Sequence, residues 1–170
     1  MSSSSPAPFP LPGGLALGLA ALGPVALGAI MAARVDDVAP MVGAPAIVFG
    51  VAAATCPALY IAIAATGDAP PLARVARAFA IALGAFGVAL AGLILPAAFL
   101  SLSSVADGTS AVVVSGALAC AALLAIRRLA GELSLRSLTG GAVFLLWAAA
   151  TLGIAGRLWS DLMMQAVTSW

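Results

Sequence analysis

Apolar residues arrive in long unbroken runs, and polar residues collect in the short gaps between them. The run 78–100, AFAIALGAFGVALAGLILPAAFL, holds 23 residues and no charge. As an α-helix it would be ~34 Å long, against a hydrocarbon thickness of ~30 Å in a bilayer. Arg74 and Arg77 close one end, and Ser101, Ser103, Ser104 and Asp107 close the other. Four further runs resemble it. The pattern predicts an all-α, polytopic transmembrane helix bundle with five spans, at about 13–33, 38–66, 74–101, 110–127 and 138–157, joined by short loops.

Residues 1–12, MSSSSPAPFPLP, carry four prolines and no side-chain charge, so they are read as a disordered Ser/Pro-rich tail. They lack the basic region that opens a secretory signal peptide. The transmembrane domain then covers 13–157. Within it, the fourth run (111–126) holds 16 residues and is the shortest, below the usual ~17–25. Arg127 and Arg128 would have to snorkel past it. Glu132 and Arg136 have the i,i+4 spacing of a helical ion pair.

Residues 158–170 are expected to form a separate amphipathic C-terminal tail. Leu158, Trp159, Leu162, Met163, Ala166, Val167 and Trp170 fall on one face of a helix, and Ser160, Asp161 and Gln165 on the other. Arg157 would mark the end of the fifth span, since Arg at the bilayer centre costs ~2.5–3.5 kcal/mol. It stands four before Asp161 and can pair with it. Trp159 and Trp170 suit headgroup depth, as do the charges of Arg74, Arg77, Arg127, Arg128 and Arg157. These seven are the expected interfacial anchors, and the tail is expected to lie along the membrane surface.

Composition sharpens this picture. Hydrophobic residues make up 64% of the chain and charged residues 8%; soluble domains run at ~45–50% and ~25%. Lipid must therefore cover most of the surface. A net charge of +1 leaves no nucleic-acid footprint. The abundance of Ala and Gly suits close helix packing, and is also what a GC-rich genome would leave. Two helix faces carry small residues at packing intervals: Gly14 and Gly18 in the first span, and Ala80, Gly84, Gly87 and Ala91 in the third.

Arg sets the expected orientation. With five spans, Arg74, Arg77, Arg127, Arg128 and Arg136 share one side, and Arg34 and Arg157 the other. The richer side is expected in the cytoplasm, with the N-terminus inside and the C-terminus outside a bacterial inner membrane.

The chain has no His, and its seven basic residues are all Arg. That removes His-based triads and lysine Schiff-base chemistry. No span carries an acid or base near its middle, so proton-coupled transport lacks its usual groups. Cys56 and Cys120 are isolated in apolar runs and are read as packing residues. No catalytic residue, metal site or cofactor is expected. The one mid-span irregularity is Thr55-Cys56-Pro57 with Tyr60 close behind; Pro57 leaves the Ala53 carbonyl without its usual donor. Thr55, Pro57 and Tyr60 are a kink that would line a pore if one exists.

These features imply a non-catalytic integral membrane protein with the lipid bilayer as its main partner. It would act as a subunit, scaffold or assembly factor through helix packing with another membrane protein. The alternative is a small homo-oligomeric channel or transporter for a neutral or apolar substrate.

Overall fold

The computed structural model describes residues 13–35, 38–67, 70–103, 107–135 and 137–168. They form five α-helices and, among the described residues, no strand: α1 (Gly13–Val35), α2 (Ala39–Ala65), α3 (Leu72–Ser103), α4 (Asp107–Leu133) and α5 (Leu138–Thr168). The protein is an all-α bundle. Four helices are long and apolar enough to cross a membrane: α2, α3 over Leu72–Leu100, α4 over Ala111–Leu133 and α5 over Leu138–Gln165. Within the described residues α1 adds a shorter apolar stretch, Ala20–Ala33. The tail 1–12 lies outside the described residues.

Helices α1 to α3 start and stop within two residues of the bounds expected from hydrophobicity, α1 running on through Arg34 to Val35. The last two need correction. Helix α4 does not stop at residue 127 but continues to Leu133, and α5 does not stop at residue 157 but continues to Thr168. Hydrophobicity marks where lipid contact ends, whereas a helix runs on while its residues favour it. RRLAGEL is rich in good helix formers and contains no Pro. Helix α4 ends only at Ser134, whose φ of 47° breaks the ladder. Helix α5 passes through Arg157 unbroken, so the tail continues the fifth helix rather than forming a separate surface helix.

Local chemistry fixes the reversals. At the end of α2 the Ile63 carbonyl accepts from both the Thr66 backbone N–H (3.1 Å) and Thr66 Oγ1 (2.7 Å). Gly67 then adopts φ +80°, a left-handed turn open to glycine. At the start of α5, Ser137 Oγ accepts from the Gly140 N–H at 2.9 Å and serves as an N-cap. Pro24, Pro45, Pro57 and Pro96 all sit inside helices, as membrane helices tolerate when nearby groups satisfy the freed carbonyls.

Around the bundle the order is α5–α2–α1–α3–α4. Helix α3 packs on both α1 and α4, and α2 on both α1 and α5, whereas the α2/α3 and α4/α5 pairs barely touch. Two buried clusters follow from the up-and-down path. One joins Leu59 and Ile63 of α2, Val75 and Phe79 of α3, Leu129 and Leu133 of α4, and Phe144 of α5. The other joins Leu27 of α1, Ala44 of α2, Phe86 and Leu90 of α3, Val114 and Ala121 of α4, and Trp159 of α5. The first lies at the end that carries exposed Arg74, Arg77, Arg127 and Arg128, the second toward exposed Arg157.

Glycine sets the closest approaches. A Cβ on Gly28 would collide with the Pro40 carbonyl oxygen and stand 2.7 Å from Met41 Cα, so α1 meets α2 backbone to backbone. A Cβ on Gly23 would stand 3.2 Å from the Gly87 carbonyl oxygen and 3.0 Å from Leu90 Cβ, joining α1 to α3. Gly84 and Gly87 are buried, Ala80 is half-buried and Ala91 is exposed, so the small-residue face of α3 serves as a seam only in part. Gly18 is exposed with no atom within 4 Å of a built Cβ among the described residues, so no described helix of this chain is seated on it. The surroundings of Gly14 lie outside the described residues.

Candidate functional site

Between the two clusters lies a cavity that is partly open to the surroundings. Lined by α2, α3, α4 and α5, it has a volume of about 380 Å³, within the ~300–1,000 Å³ range of small-molecule sites. It reaches from Phe79, Ala82 and Leu129 of the first cluster to Phe86 and Trp159 of the second. Among the described residues, no ionisable side chain lines it.

Helix α5 supplies one wall through Trp147, Thr151, Ala155 and Trp159, spaced four apart on one face. The two indoles are twelve residues apart, or ~18 Å along the helix. Trp147 stacks edge-on to Phe79 (centroids 5.7 Å apart, 80° between planes) and lies against Phe144. Its Nε1–H donates to the Thr55 carbonyl oxygen at 2.9 Å. Trp159 Nε1–H donates to Ser115 Oγ of α4, also at 2.9 Å. Both indole donors are thereby used on neighbouring helices, and the ring faces left to the cavity are apolar.

Thr55 is the part of the α2 irregularity that reaches the cavity. Its Oγ1 donates to the Val51 carbonyl at 2.8 Å, the common back-bond to i−4, and not to Ala53. Pro57 is exposed, and Tyr60 packs against the first cluster, so the structure separates these two from Thr55. Cys56 packs against the same cluster and Cys120 is exposed; both thiols are free.

One polar atom of the lining stands apart. Thr151 Oγ1 is buried and has no hydrogen-bond partner among the described residues. A hydroxyl can both donate and accept, and leaving one unsatisfied costs about 1–3 kcal/mol. That hydroxyl is turned away from the open space, so the cavity offers an apolar lining, which suits a neutral molecule.

The expected anchors divide. Arg74, Arg77, Arg127, Arg128 and Arg157 are exposed. Arg157 Nε pairs with Asp161 at 3.3 Å, as its spacing implies. Glu132 pairs with Arg128 at 3.0 Å; Arg136 lies outside the described residues. Trp159 is 7% exposed and faces into the bundle, so it is a cavity wall and an interhelical tie rather than a headgroup anchor. Trp170 lies outside the described residues. Sequence reasoning missed Ser115, Trp147 and Thr151. The four-residue spacing on α5 was a usable signal, but the two tryptophans were never read as one face. No group of three or more His, Cys, Asp or Glu able to hold a metal occurs among the described residues. No family model, curated protein or solved structure matches this chain.

Proposed function

We propose that this chain is a non-catalytic, multi-pass integral membrane protein that holds, and in an oligomer passes, a neutral apolar molecule in its central cavity. The observation that carries the reading is the cavity itself: about 380 Å³, walled by four helices, with no charge in its lining among the described residues. A charged substrate would pay a large desolvation cost there.

In this reading all five helices cross the bilayer, α1 included. The N-terminus is cytoplasmic and the C-terminus lies outside a bacterial inner membrane. The clustering of exposed Arg74, Arg77, Arg127 and Arg128 at one end of the bundle supports that orientation.

A second reading is a subunit or assembly factor that works by packing against another membrane protein. The large exposed apolar residues favour it, among them Leu95 at 79% and Leu146 at 73% exposure, because the same surface that lipid covers can seat a helix. Reconstituted vesicles distinguish the two. Protein-dependent flux of a neutral solute supports the first reading. Absence of flux, together with a stoichiometric membrane partner retained in mild detergent, supports the second.

A further inference from the structure

We infer that the cavity opens sideways between α4 and α5, and that a single hydrocarbon chain of a membrane lipid enters it there. The inference rests on the reading of the cavity as a site for a neutral apolar molecule, and it names the occupant and its route.

The bundle has two weak seams, α2/α3 and α4/α5. The first is covered, because α1 packs on both α2 and α3. No helix in the described residues covers the second in that way. Of the described residues that line the cavity, only Ala119 and Gly156 are exposed. One belongs to α4 and the other to α5, so they sit on the two lips of the open seam. Both are small, and a Cβ built on Gly156 would have no atom within 4 Å. The mouth is therefore framed by missing side chains.

What lies outside that mouth decides the occupant. Leu123 and Leu124 of α4 and Ile154 of α5 are exposed near the lips, on helix stretches apolar enough to cross a membrane. The medium at the mouth is hydrocarbon. An apolar void leaves its lining atoms without dispersion partners, and one that communicates with lipid fills from lipid. The shape agrees: ~18 Å between Trp147 and Trp159 along α5 makes a tall slot, suited to an extended chain more than to a compact ring.

The test uses the full chain reconstituted in phosphatidylcholine vesicles whose acyl chains carry a mid-chain diazirine, with irradiation and peptide mapping. The expected result is labelling of the inward residues Leu118, Ala122 and Leu152 alongside the outward residues Leu123 and Leu145. Plugging either lip, by Gly156→Leu or Ala119→Leu, should cut inward labelling severalfold and leave the outward labels unchanged. The unchanged outward labels show that a variant still sits in the membrane. Inward labelling that persists in both plugged variants overturns the portal, and no inward labelling in the unmodified protein overturns the lipid chain as occupant. A small neutral probe, phenyl-trifluoromethyl-diazirine, separates these failures from that of the underlying reading. If it labels the inward residues where the lipid does not, the cavity remains a site for an apolar molecule; if it fails too, both fall.

Discussion

At Gly28 the backbone of α1 comes so near that of α2 that a single methyl has nowhere to go. The atoms it would meet are a carbonyl oxygen and a Cα, which cannot rotate aside as a side chain would. Gly28→Ala should therefore lose about 1–3 kcal/mol by overpacking, despite the ~1 kcal/mol that Ala gains over Gly in helix propensity. Gly18→Ala meets nothing and should be neutral or stabilising by up to ~1 kcal/mol. Reversible unfolding of the two variants in mild detergent checks the contrast, and equal tolerance would contradict the close approach. The GxxxG spacing pointed to Gly14 and Gly18, because four-residue spacing is the sequence mark of a seam. Gly23 and Gly28 are five apart and face different neighbours, so no single-face pattern finds them.

The same scale holds the ties between helices. Apolar burial gives helices in lipid little reason to associate, so interhelical hydrogen bonds and packing carry more of the specificity. Trp159 and Ser115 form such a bond between α5 and α4, two helices that otherwise barely touch. A double-mutant cycle of Trp159→Phe and Ser115→Ala should give a coupling of about 0.6 kcal/mol, with ~1.7 kcal/mol as a ceiling. A coupling of zero would mean that the indole finds another partner of equal worth.

At the scale of elements, the existence and order of all five helices was legible, because a charge-free run of membrane length has few alternatives. Their ends were less so. Arg127, Arg128 and Arg157 read as stop signals, yet an Arg can stay helical while its head reaches water. Helix α5 continues past Arg157 and its last turns pack on α2, where the Leu162 side chain would stand 3.0 Å from a Cβ on Gly43. Single spin labels placed from residue 154 to 165 should thus show one uninterrupted helical period in oxygen accessibility. A break in phase at Arg157 would restore a separate tail. The cavity wall on α5 was hidden for a related reason: Trp159 read as an anchor because tryptophans favour the interface, and only its position in the bundle shows the ring turned inward.

For the whole molecule, the proposal that all five helices cross the bilayer predicts opposite sides for the two termini. In a background free of Cys56 and Cys120, an impermeant thiol reagent added outside should label Ser169→Cys and leave Ser2→Cys unlabelled. The reverse pattern would invert the topology, and labelling of both would remove one span. The cavity is the feature that no reading of single helices supplies. Each wall residue belongs to an ordinary apolar face, and whether four such faces meet or stand apart depends on how closely the helices can approach. The glycines at positions 23, 28 and 43 draw α1 to its neighbours and α2 to α5; among the described residues no glycine contact of that kind draws α4 to α5.

Occupation of the cavity by a neutral apolar molecule should register as added stability. The most direct measurement is the melting temperature in mild detergent, with and without n-butylbenzene, of the unmodified protein and of Ala122→Phe, which fills the cavity from α4. The account predicts that the ligand raises the melting temperature of the unmodified protein, by an amount equivalent to ~2.7 kcal/mol at a hundred times its Kd. It predicts that Ala122→Phe folds without loss of stability and no longer responds to the ligand. A ligand-independent melting temperature, with Ala122→Phe destabilised by the ~1–3 kcal/mol of an overpacked core, would contradict it.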